Sequence, residues 1–87
     1  MVFVYIVRCF DGSLYVGLTN DVAHRVCRHN EGLAAAYTTE RRPVTLVYSE
    51  PCATLTAAVR RERQIKRWSR AKKEALVAGD LPALRRL

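Results

Sequence analysis

Nowhere in the 87 residues is there an apolar run of about 18 residues, so no membrane-spanning helix can be read from the sequence. The first residues, Met1–Cys9, are too short and turn polar too soon for a signal peptide. Cys9, Cys27 and Cys52 are odd in number and show no CxxC spacing, which argues against a disulfide framework. They fit reduced thiols in a cytoplasmic protein. A zinc site drawn from Cys9, His24, Cys27 and His29 also fails, because the three helical ligands spread over too wide an arc for tetrahedral binding. Repeats, linkers and low-complexity segments are missing, and no basic stretch carries the large aromatic or leucine face that membrane-surface binding needs.

What is present suits one small domain spanning residues 1–87. Apolar residues make up 49%, enough for a single core without staples. The net charge is +7 and the isoelectric point near 9.9. That charge is unevenly placed. Residues 1–50 hold five basic and five acidic side chains, whereas residues 51–87 hold ten basic and three acidic ones and so supply the whole excess. Such a basic C-terminal half suits a polyanionic partner, the alternative being a solvated helical surface.

Val2–Cys9, β-branched, aromatic and almost continuously apolar, predicts a strand covered on both faces. Phe10-Asp11-Gly12-Ser13 supplies a turn and Leu14–Leu18 the returning strand. Asn20 or Asp21 can cap the helix that follows, and Glu31-Gly32 closes it. Leu33–Pro43 reads as a loop, Val44–Tyr48 as a third strand, and Pro51 as its breaker. From Thr54 or Thr56 a long basic helix runs to about Trp68, Ser69 caps another that ends at Gly79, and Pro82 lies in a last short turn. The expected fold is α+β, a small three-stranded antiparallel sheet flanked by helices in the order β-β-α-β-α-α, with basic C-terminal helices from about residue 54.

Val22 and Val26 trace the buried stripe of the first helix, with Ala23 and Cys27 beside them. Arg25 and His29, also four apart, lie within roughly 40° of each other on that helix. Together they could hold a phosphate, Arg forking two oxygens and His exchanging protons near neutral pH; alternatively they belong to a solvated face. On the long helix, Leu55, Ala58, Val59 and Ile65 form an apolar stripe into which Glu62 falls. A carboxylate there needs compensation, either from a divalent cation or from an ion pair with Lys66 or Arg25. Tyr5 and Tyr15 depend on hairpin register. A two-residue Asp-Gly turn puts them on opposite faces, while a three-residue Phe10-Asp11-Gly12 loop pairs Tyr5 with Gly17 and puts both phenols on one face. Gly17 would then leave room for the ring of Tyr5. Trp68 among Lys66, Arg67 and Arg70 reads as packed in preference to stacking on a base.

Val4-Tyr5-Ile6, Leu14-Tyr15-Val16-Gly17, Arg25, His29-Asn30 and Glu62, in this order and spacing, resemble the GIY-YIG nuclease family. The segments DGSLYVG, RHNEG, YTTERRPVTLVY and RRERQIKRWSRAKKEAL are similar to its short stand-alone bacterial members. The resemblance implies a three-stranded antiparallel sheet with helices and Mg²⁺- or Mn²⁺-dependent hydrolysis of phosphodiesters. Residue by residue, it implies that Tyr5 and Tyr15 are the motif tyrosines, Arg25 the phosphate-binding arginine, and Glu62 the metal-holding carboxylate. It gives His29 a place in the catalytic set, with Asn30 and the loop residue Tyr37 at the substrate. The first motif lacks its leading glycine and reads Val-Tyr-Ile; the second reads Tyr-Val-Gly.

The expected partner is nucleic acid, DNA favoured, with Lys66, Arg67, Arg70, Lys72 and Lys73 along its backbone. No base-reading module is visible, so selectivity is expected for structure more than for sequence, with a protein partner as one possible source of substrate choice. In the expected reaction Tyr5, or Tyr15 by relay, takes the proton of the attacking water, nearby cations lowering its pKa and His29 accepting the proton onward. A binding module with the fold but without the activity is the competing expectation.

Overall fold

The computed structural model describes the whole chain, Met1–Leu87. Three strands, β1 (Val2–Arg8), β2 (Leu14–Thr19) and β3 (Thr45–Cys52), form one antiparallel sheet in the order β2-β1-β3. Five helices complete it: α1 (Val22–Asn30), α2 (Ala36–Thr39), α3 (Leu55–Lys66), α4 (Arg70–Ala78) and α5 (Leu81–Arg86). No helix is long and apolar enough to cross a membrane.

Central β1 explains its own sequence. Val4, Tyr5, Ile6 and Val7 are all buried, because helices cover both faces of the strand. Val4 and Ile6 point to one side, where they pack with Val16, Ala58, Ile65 and Leu76 from β2, α3 and α4. Tyr5 and Val7 point to the other, where they meet Cys9, Val44, Tyr15 and Val26 beneath α1.

The β1–β2 turn takes the three-residue form. The Cys9 amide donates to the Ser13 carbonyl at 2.8 Å and the Gly12 amide to the Cys9 carbonyl at 2.9 Å. Gly12 has φ +86°, a left-handed value that L side chains rarely adopt. Tyr5 therefore faces Gly17 and Tyr15 faces Val7, so both phenols share one face. The turn is tied from two sides: the Phe10 amide donates to the Arg41 carbonyl at 2.9 Å, and Arg70 donates to the Gly12 carbonyl at 2.7 Å.

Asp21 caps α1 by accepting from the His24 amide, Thr54 caps α3 and Ser69 caps α4. Gly79 ends α4 in the left-handed conformation. Three expectations need correcting. The third strand does not end at Tyr48: it starts at Thr45 and runs through Pro51 to Cys52. A proline is tolerated there because β3 is an edge strand whose missing N–H costs the sheet no ladder bond. A bulge at Val47 accommodates the shift from Ile6–Tyr48 to Val7–Leu46 pairing. Leu33–Pro43 is not all loop, since Ala36–Thr39 forms the short α2. Leu55, Ala23 and Cys27 lie exposed and leave their predicted stripes, which are narrower than helical spacing suggests.

Candidate active site

The hairpin register sets the first pair of side chains. A Cβ on Gly17 would lie 2.5 Å from the phenol oxygen of Tyr5, so the ring occupies the space a side chain would need. Tyr5 itself is only 2% exposed. Its hydroxyl meets Nε2 of His29 at 2.7 Å, and the Tyr15 ring meets the same imidazole edge-on at 5.2 Å between centroids.

His29 is the one fully buried residue of α1, at 1% exposure, and no solvated face includes it. Its Nδ1 lies 2.7 Å from Oγ1 of Thr38 on α2. Both ring nitrogens are thus occupied, so His29 does not pair with Arg25 around a phosphate; it backs Tyr5 instead. Burial first, and Arg25 second, hold the imidazole below its usual pKa, which keeps it neutral at neutral pH. The Tyr5 phenol is pushed well above the ordinary tyrosine range by burial and then by Tyr15. Arg25 works against that rise but does not cancel it. The expected lowering of the phenol by surrounding side chains is not seen.

Arg25 is half-buried, close enough to act electrically on both Tyr5 and His29, and its side chain makes no hydrogen bond or ion pair. Its guanidinium is left for a ligand. Along α3, Ala58 and Ile65 turn into the apolar core while Glu62 and Lys66 turn toward the tyrosine side. The Lys66 ammonium stands 5.9 Å above the Tyr15 ring. Glu62, with 18% of its side chain exposed, is compensated only by Lys66 at 3.6 Å. No three or more His, Cys, Asp or Glu side chains converge anywhere in the chain. A half-buried carboxylate with one long ion-pair contact keeps coordination capacity and fits a hard divalent cation, the remaining ligands being waters and phosphate oxygens.

The loop residues divide. Tyr37 stacks on Tyr15 at 6.1 Å and carries the Arg41 guanidinium 3.9 Å from its ring centroid. With Lys66 and Lys73, the two tyrosines line a shallow groove. Asn30 does not face that groove. Its amide accepts from the Val44 amide at 2.7 Å and donates to the Val44 carbonyl at 3.1 Å, pinning the end of α1 to the start of β3. Residues 1–75 match the model of the GIY-YIG catalytic domain.

This chain belongs to the GIY-YIG family.

Among similar proteins, a UPF0213 protein of Staphylococcus aureus strain Mu3 is 53% identical over 75 residues, which cover 86% of this chain and 92% of that one. A UPF0213 protein of Staphylococcus saprophyticus is 49% identical over 76 residues, covering 87% and 93%. The solution NMR structure of a UPF0213 protein from Bacillus halodurans superimposes with a TM-score of 0.60 at 40% identity, covering 99% of this chain and 94% of that one. Membership in the GIY-YIG family places the chain in a nuclease superfamily.

The basic residues around the GIY-YIG site are of two kinds. Arg70 is committed to the Gly12 carbonyl and to Glu74 at 3.6 Å, and Lys72 to the face of Trp68 at 4.5 Å. Trp68 also carries Arg61 at 5.2 Å and packs on the core, so it is a packed ring. Arg67, by contrast, makes no ion pair, and neither do Arg60 and Arg63, which continue its stripe along the outer side of α3. Sequence reasoning missed those two arginines because charge alone does not show which basic residues are paired. It also missed Thr38, whose only signal was a Thr-Thr pair in a segment without periodicity.

Proposed function

We propose that the chain is a metal-dependent endonuclease that hydrolyses phosphodiester bonds in nucleic acid, DNA in preference to RNA, and selects by structure more than by sequence. The observation that carries this reading is the Tyr5–His29 hydrogen bond with an unpaired Arg25 and an incompletely satisfied Glu62 both near enough to act electrically on Tyr5. Each polar group there has a use in phosphodiester hydrolysis.

Arg25 clamps non-bridging oxygens of the scissile phosphate, its forked donors matching them two at a time. Glu62 would hold Mg²⁺ or Mn²⁺, which when bound would supply positive charge to the reacting phosphate. As substrate phosphate enters, Lys66 moves from Glu62 to the nucleic-acid backbone. Tyr5 takes the proton of the attacking water while passing its own to Nε2 of His29, so the phenol needs no standing negative charge. This relay suits a tyrosine whose burial opposes ionisation. The new bond joins the water oxygen to phosphorus, and the bond from phosphorus to the leaving oxygen breaks.

Away from the scissile bond, Lys73 and the stripe Arg60, Arg63 and Arg67 follow the backbone by charge alone, a contact that weakens as salt rises. Tyr37, already stacked on Tyr15, walls the groove and keeps Tyr15 in place.

The test is cleavage of labelled single-stranded DNA, duplex, flap, branched junction and RNA, with Mg²⁺ or Mn²⁺, by wild type and Glu62→Ala. Cleavage that falls by about a thousandfold in the variant, while salt-sensitive binding survives, is the expected result. Binding without cleavage by either protein identifies a binding module instead. Cleavage that needs added cell extract points to a protein partner that supplies substrate choice.

A further inference from the structure

The hydrogen bonds around His29 have only one direction that leaves no buried group unsatisfied. Three protons are to be placed, on Tyr5 Oη, on one His29 nitrogen and on Thr38 Oγ1. Suppose Thr38 donates to Nδ1. Nε2 must then carry the ring proton and donate to Tyr5, and the Tyr5 proton has no acceptor within the protein before substrate and its water enter, since His29 is its sole protein partner at 2% exposure. Reversed, everything is matched. Thr38 donates to the Ala35 carbonyl at 3.1 Å, Nδ1–H donates to Thr38 at 2.7 Å, and Tyr5 O–H donates to Nε2 at 2.7 Å. Buried polar groups without partners cost about 1–3 kcal/mol each, so the matched arrangement prevails. No buried side-chain nitrogen or oxygen of the chain lacks a partner.

We infer that Thr38 is a positioning residue: by accepting from Nδ1 it fixes His29 in the Nδ1–H tautomer and presents Nε2 as the acceptor for the Tyr5 proton. The inference rests on the hydrolytic reading above for its catalytic consequence, but the tautomer stands on the hydrogen bonds alone. In the reaction, water gives its proton to Tyr5 Oη as Tyr5 gives its own to Nε2, and His29 becomes a cation with both N–H groups still directed to oxygen. After product departure the proton returns along the same path to solvent. With the opposite tautomer, Nε2–H would point at Tyr5 and there would be no site for the proton to enter.

Thr38 can do this because of how α2 is built. Ala35 is extended and the first turn of the helix follows it, which brings the Ala35 carbonyl above Oγ1 of Thr38. Thr38 itself is fully buried, so water does not compete for its hydroxyl. The neighbouring Thr39 also donates to the Ala35 carbonyl, at 2.8 Å, and to the Gly32 carbonyl at 3.2 Å, fastening α2 to the end of α1.

The measurement is long-range ¹H–¹⁵N correlation of the imidazole nitrogens in ¹⁵N-labelled wild type, Thr38→Ser and Thr38→Val, above pH 7. Wild type and Thr38→Ser should show His29 protonated at Nδ1, whereas Thr38→Val, which leaves Nδ1 without a partner in either tautomer, should lose the single tautomer and populate Nε2–H as well. Cleavage by the same proteins, on whichever substrate wild type cuts, should show kcat falling about 10²-fold in Thr38→Val, KM unchanged and Thr38→Ser active. An Nε2–H tautomer in folded wild type overturns the inference without any activity being measured. A folded Thr38→Val that keeps His29 wholly in the Nδ1–H tautomer, or one that is Nε2–H and yet fully active, overturns the positioning role. If no protein cleaves, the spectra still decide the tautomer, and the failure belongs to the hydrolytic reading alone.

Discussion

The two faces of β1 are equally buried and chemically unlike. Val4 and Ile6, both at 0%, look into a core of aliphatic side chains from α3 and α4. Tyr5, one residue away and nearly as inaccessible, looks into a chain of hydrogen bonds through His29 and Thr38. On the first face stability comes from area removed from water and tolerates imperfect fit, at a cost graded by volume. On the second it comes from a network in which each group needs the next, so the loss of one member strands another. The fold keeps the two apart by strand alternation alone. A small chain thereby holds a polar site at core depth without weakening the core that supports it.

The contrast can be broken most forcefully on the apolar face. Ile65→Ala should cost about 2–5 kcal/mol, read as a lowered urea midpoint. Any cleavage per folded molecule should be retained, because Ile65 touches none of the hydrogen-bonded chain. Gly17→Ala attacks the other face. Its new methyl would sit 2.5 Å from the Tyr5 oxygen and 2.7 Å from Cζ, so the ring must move. We expect a smaller stability loss, about 1–3 kcal/mol, with cleavage reduced roughly 10²-fold through misplacement of the phenol. A variant with normal cleavage would mean that Tyr5 is not where catalysis needs it.

The smallest effect is one of pH. His29 is held below the ordinary histidine value of about 6.5, whereas the unfolded chain titrates near it. Below that value the unfolded state binds more protons than the folded state. The stability that neutral His29 supplies is therefore complete above about pH 6.5 and is lost as pH falls through its depressed folded value. Tyr5, Tyr15, Thr38 and Arg25 surround the ring, and none is an anion that could hold its charged form. The melting temperature of wild type should fall more steeply between pH 7 and 5 than that of His29→Gln. Parallel curves would show that His29 does not carry this pH dependence.

Much of this was readable in the chain. The nearly continuous apolar run around Tyr5, the caps Asp21, Thr54 and Ser69, and the glycine at 79 are local signals, and they foretold the elements they bound. The placing of Tyr5 opposite Gly17 was readable as one of two registers, and the choice between them lay in the turn, where both loop lengths suit Phe-Asp-Gly-Ser. What was not legible came from packing between distant segments. Pro51 reads as a breaker until β3 is known to be an edge. His29 reads as a solvated residue until α2 folds over it, and Asn30 as a ligand contact until Val44 takes both ends of its amide. Arg70 and Lys72 look as free in the sequence as Arg60 and Arg63, because pairing is decided by neighbours on other elements.

The tied three-residue turn at Phe10–Gly12 has a consequence for anyone who would graft or redesign this hairpin. Side chains alternate along a strand, so the turn sets parity as well as length. Removing or adding one residue there, with the pairing otherwise kept, would send Tyr15 to the aliphatic side and a valine or leucine to face His29, even if the hairpin closed well. A change of two would keep both tyrosines together. Loops in this scaffold are exchangeable by even steps only.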